Sequence, residues 1–104
     1  MIIKVEWSKH AEKDIKHIFE RTIKKIKSKQ LALNVVNDIY ETCLNINFVT
    51  QYQADEYLGL PYRRMIVRHF KIIYTSVNDT EIKILHIFDT YQNPKKLTAI
   101  LKTK

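Results

Sequence analysis

The stretch Tyr62–Pro94, YRRMIVRHFKIIYTSVNDTEIKILHIFDTYQNP, decides how this chain is read. It reads as three consecutive antiparallel strands at about 62–69, 71–77 and 81–88, and Asn78-Asp79-Thr80 is a turn by composition. The strands carry Arg63, Arg64, Arg68, His69, Lys71 and His86, and no acid appears before Asp79. A small sheet displaying this many cations is a surface suited to a polyanion or an acidic protein segment. Strand alternation sets Met65 and Val67 against Arg64, Ile66 and Arg68, and sets Leu85 and Ile87 against Ile84, His86 and Phe88. One face is expected to pack on helices. The other is expected to be open and basic.

Upstream, IIKVEW at residues 2–7 alternates as a strand, with Ile3, Val5 and Trp7 on one face. Ser8 stands where a helix N-cap belongs. Ala11, Ile15, Ile18, Phe19, Ile23 and Ile26 then recur at helical spacing, which predicts a helix over 9–27. Ser28 caps a second helix, whose broad apolar face comprises Leu31, Ala32, Val35, Val36, Ile39, Tyr40, Cys43 and Leu44. Two long helices joined by so few residues form an antiparallel hairpin. Asn47–Pro61 loses periodicity, contains Gly59, the only glycine, and reads as a loop. Beyond Lys95, residues Leu97, Ile100 and Leu101 suggest a short amphipathic C-terminal helix. The order strand, helix, helix, three antiparallel strands is an α+β layout with the helices on one face of the sheet. It is expected to form a single domain over residues 1–104.

Composition narrows the function classes. The formal charge of +7 favours anionic partners. It is unevenly spread: residues 30–60 have no Lys or Arg and sum to −4 through Asp38, Glu41, Asp55 and Glu56, leaving +11 elsewhere. One cysteine excludes an internal disulfide framework and fits a reducing cytoplasm. No apolar run approaches the roughly 18 residues of a membrane span, and the N-terminus lacks signal-peptide features. A cytoplasmic protein with no membrane role is expected. The single glycine excludes a glycine-rich phosphate loop. His10 and His17 lie seven apart with no companion cysteine or HxxxH spacing, so neither metal nor cofactor is expected.

The ordered set of short motifs resembles one family. Val5-Glu6-Trp7-Ser8, Ala11 and Asp14-Ile15 are similar to the opening of the RelE/ParE toxins of bacterial type II toxin–antitoxin systems. Gly59, Arg63-Arg64-Met65-Ile66-Val67 and Phe70-Lys71-Ile72-Ile73-Tyr74 continue the likeness. Ile84-Leu85-His86-Ile87-Phe88-Asp89, Gln92-Asn93-Pro94 and Leu97 close it, so the resemblance spans about residues 3–98. It implies a toxin neutralised by a cognate antitoxin. RelE-like members cut messenger RNA on the ribosome, whereas ParE-like members inhibit DNA gyrase without a hydrolytic centre. The length of the helix hairpin is closer to the ParE branch.

The residues themselves allow either target. Attack by an RNA 2′-hydroxyl needs a base, an acid and cations on the phosphate. Arg63, Arg64, Arg68 and Lys71 are the candidate phosphate- or target-binding residues, the arginines as planar donors. His86 and Tyr91 are the candidate catalytic proton carriers. Tyr91 stands where family members commonly carry Arg, a departure that weighs against RNA cleavage. Whether the protein is an enzyme is therefore open at this point, with a nucleic-acid-binding module or an inactive toxin relic as the third reading.

Overall fold

The computed structural model describes residues 2–90, so the expected C-terminal helix and Tyr91 lie outside the described residues. The elements are β1 (Lys4–Trp7), α1 (Lys9–Ile26), α2 (Lys29–Leu44), β2 (Arg63–Val67), β3 (Phe70–Asn78) and β4 (Glu81–Asp89). They form the expected α+β arrangement of strand, helix hairpin and antiparallel strands. The sheet order is β1-β4-β3-β2, with β1 parallel to β4 and the remaining pairings antiparallel.

Both helices start where a serine can cap them. Ser8 Oγ accepts the Ala11 N–H at 3.0 Å, and Ser28 Oγ accepts the Leu31 N–H at 3.2 Å. Lys27, at φ 57, ends α1 in the left-handed conformation, and its N–H bonds to the Ile23 carbonyl. That single residue turns the chain into α2 without glycine. Ala11, Ile15 and Ile18 of α1 and Val35, Ile39 and Cys43 of α2 close one core with Met65, Val67, Ile72, Ile82, Ile84 and Ile87 of the sheet. Tyr74 is buried in that core and its hydroxyl donates to the Val49 carbonyl at 2.9 Å, which anchors the start of the long loop.

Three expectations about the sheet need correction. First, β2 stops at Val67 instead of reaching residue 69, because Val67 pairs with Phe70 and Arg68-His69 makes a tight turn. Arg68 takes φ 56 there, a position where Gly or Asn is usual. Arg64 and Arg68 therefore do not stand side by side on a strand. Second, the alternation of β4 slips by one residue. Ile73 pairs with His86 and Tyr74 with Ile84, so Leu85 is the extra residue of a bulge. Ile84 and Ile87 consequently share the helix-facing core, while Leu85 and Phe88 join Ile73 in a second apolar cluster. Third, the face away from the helices is not open throughout. Leu58 and Tyr62 of the loop cover Ile73, Leu85 and Phe88.

Candidate functional site

The short length of β1 creates the main polar site. β1 pairs with β4 only as far as Trp7 and Ile84, and the last backbone bond of this kind runs from Ser8 N–H to the Ile84 carbonyl at 2.9 Å. Beyond it, α1 runs beside the rest of β4 and its side chains take over the role of a strand. The Ser8 hydroxyl donates to the Leu85 carbonyl at 2.8 Å, and Asp14 Oδ2 accepts the Ile87 N–H at 2.9 Å. Burial pushes the Asp14 carboxyl above its ordinary range; the Ile87 hydrogen bond and the nearby His10 oppose that rise.

His86 lies in this gap and is 0% exposed. Its Nδ1 is 2.9 Å from His10 Nδ1, which in turn is 3.2 Å from Asp14 Oδ2. The His86 ring stacks on Phe88 with centroids 5.4 Å apart. Alongside is a cavity of about 130 Å³ lined by His10, Asp14, His17, Arg21, Phe88 and Asp89, among others. Sequence reasoning selected His86 but passed over His10 and Asp14 as its companions. Their i,i+4 spacing on α1 was a readable signal. Their convergence on His86, 76 residues from His10, was not.

The cations are placed unequally. Lys71 is buried; its Nζ lies 2.8 Å from Asp55 Oδ1 and 4.8 Å from the centroid of the Tyr57 ring. Asp55 Oδ2 meanwhile accepts the N–H groups of Tyr57 and Leu58. Lys71 thus fastens the loop to β3. Arg63 donates to the Tyr52 carbonyl at 2.8 Å, another loop tie. Arg68 Nε donates to Asp38 Oδ2 of α2 at 2.8 Å, with both side chains nearly half exposed. Arg64 makes the loosest attachment, 3.4 Å from Nη2 to Gln53 Oε1. His69 packs on Phe70 and, with Arg21, flanks the Asp89 carboxylate. Of the four expected target-binding cations, Arg68 is exposed and Arg64 is half-buried, with its Nε shielded from solvent; Arg63 and Lys71 brace the loop.

The geometry of a four-stranded sheet with a helix hairpin on one face invites comparison with known proteins. The family described as ParE toxin of type II toxin-antitoxin system, parDE, matches residues 5–94. The chain belongs to this ParE toxin family. Among solved structures, it is similar in fold to the chromosomal ParDE toxin–antitoxin system from P. aeruginosa, at 22% identity and a TM-score of 0.67 over 85% of this chain and 96% of that one. It is similar also to the conserved hypothetical protein HP0894 from Helicobacter pylori, at 18% identity and a TM-score of 0.58 over 88% of this chain and 98% of that one. No curated protein matches the chain. Among the described residues of this ParE-family chain, no helix is long and apolar enough to cross a membrane.

Proposed function

We propose that this ParE-family chain is the toxin of a type II module and arrests growth by binding DNA gyrase rather than by cutting RNA. The observation that carries this reading is the burial of His86 beneath the first turn of α1. A general base must come within hydrogen-bond reach of the proton it takes, and in the free chain His86, at 0% exposure, does not present its ring to an RNA strand. Arg64 and Arg68 serve as target-binding residues. A cytoplasmic site of action goes with this target.

The antitoxin in this reading lies along α2 and the edge strand β2. Leu33, Tyr40 and Leu44 are exposed at spacings of seven and four, which puts an apolar row on the outside of α2. Phe48 extends it past the helix end. Gln53 covers the β2 edge at Arg64, and Ile66 beyond it is 50% exposed. Acidic antitoxin side chains meet Arg64 and Arg68 at this edge, so added salt weakens the complex moderately.

The test is a gyrase supercoiling assay with the purified chain, run beside genome-wide mapping of transcript 5′ ends after induction. Inhibited supercoiling with no new 5′ ends is the expected result. New ends phased to reading frames, with gyrase unaffected, would establish an endoribonuclease instead. An absence of any growth effect would identify a relic.

A further inference from the structure

Two imidazoles and a carboxylate meet where α1 crosses the free part of the β4 edge. One donor atom from each of His10, Asp14 and His86 lies within 4.8 Å of the other two. The closest separations, 2.9 Å between the two histidine Nδ1 atoms and 3.2 Å from His10 Nδ1 to Asp14 Oδ2, are near the spacing of ligands around one small cation. Zn–N and Zn–O bonds of about 2.0–2.1 Å in a tetrahedron put ligand atoms roughly 3.3 Å apart.

If His10 Nδ1 carries the hydrogen, it must be shared between the Asp14 carboxylate and the His86 nitrogen. If His86 Nδ1 carries it instead, the His10 lone pair faces the Asp14 carboxylate at 3.2 Å. A divalent cation would accept all three lone pairs once the widest separation, up to 4.8 Å, closes toward the ligand spacing.

We propose that His10, Asp14 and His86 form a binding site for a divalent transition ion of the zinc class. Two imidazole donors select zinc-like ions over magnesium and calcium, which prefer all-oxygen surroundings. The supporting contacts are those of a ligand set held in place: Asp14 also accepts the Ile87 N–H, His86 is stacked on Phe88, and the Ser8 cap fixes the turn that carries His10. His17 lines the adjoining cavity. The bound ion ties the start of α1 to β4 just past the end of β1, so its role is to fasten the helix to the sheet.

The test titrates Zn²⁺ into tag-free, chelator-treated protein by calorimetry and follows thermal unfolding with and without the ion. His10→Ala and Asp14→Asn are compared with His69→Ala, which changes an imidazole outside the cluster. His10 is exposed, so its replacement leaves a folded chain to measure, as circular dichroism will verify. Expected are one ion per chain, a higher melting temperature with zinc, and affinity lowered at least about tenfold in His10→Ala and Asp14→Asn but kept in His69→Ala. No saturable binding, or equal affinity in wild type and His10→Ala, would overturn the proposal and leave the three residues as a hydrogen-bonded junction only.

Discussion

Asp14 Oδ2, on α1, accepts the backbone N–H of Ile87 on β4 at 2.9 Å, taking the place that a neighbouring strand's carbonyl would fill. Asp14→Ala removes the acceptor and leaves a half-buried donor unsatisfied, which costs about 1–3 kcal/mol. Asp14→Asn keeps a side-chain oxygen and should lose less than half of that. Urea unfolding in the presence of a chelator compares the two without any contribution from metal. Equal losses would mean that the packing of the side chain, and not the hydrogen bond, is what matters.

The Lys71–Asp55 pair and the Arg68–Asp38 pair have the same 2.8 Å separation but different surroundings. Lys71→Ala strands the buried Asp55 carboxylate and is expected to cost about 3–5 kcal/mol. Arg68→Ala opens a pair exposed to water and is expected to cost no more than about 1 kcal/mol. Denaturant midpoints of the two variants read this directly. Similar midpoints would show that water reaches Asp55.

Arg68 also bears on target binding. At φ 56 its backbone favours glycine, so Arg68→Gly relieves strain while removing the guanidinium. The folded chain should stay within about 1 kcal/mol of wild type, because the gain in the backbone offsets the lost ion pair. Gyrase inhibition should nevertheless weaken. Full inhibition by Arg68→Gly would remove this residue from the target surface.

Burial pushes the Cys43 thiol from 9.0 up to about 12. Below pH 9 both the folded and the unfolded chain keep the proton, and the thiol adds no pH dependence. Above it the unfolded chain ionises first, so stability falls with rising pH by up to about 1.4 kcal/mol per unit until the folded value is reached. Measured against Cys43→Ala, the wild type should lose ground steadily from pH 9 to 11. Parallel pH profiles would show that the thiol ionises alike in both states.

How far the sequence speaks for itself depends on whether a feature leaves a compositional mark. Ser8 and Ser28 announce the helix starts, and the apolar period sets most of the facing of α1 and α2, although Ile26, Leu31, Tyr40 and Leu44, expected on the apolar faces, are exposed. The Asn78-Asp79-Thr80 turn is equally legible, since Asn78 Oδ1 accepts the Thr80 N–H. The Arg68-His69 turn is not, because neither residue signals a reversal and the turn follows from the pairing of Val67 with Phe70. Nor is the bulge at Leu85 legible: one extra residue inside Ile84–Phe88 looks like more strand. The site suffers from the same limit. Lys71 resembles every other cation on the sheet until the loop brings Asp55 against it, and His86 meets His10 because α1 runs where β1 has ended.

The parallel pairing of β1 with β4 joins the two ends of the described chain, setting Lys4 beside Glu81 and Trp7 beside Ile84. A chain leaving the ribosome therefore has β1 waiting, unpaired, until β4 has been made. The helix hairpin can form early from local contacts, but the sheet that covers its apolar side cannot be completed before β4 arrives. Premature termination anywhere upstream of residue 81 yields exposed apolar helices and an unpaired strand, a substrate for proteases rather than a weaker version of the protein.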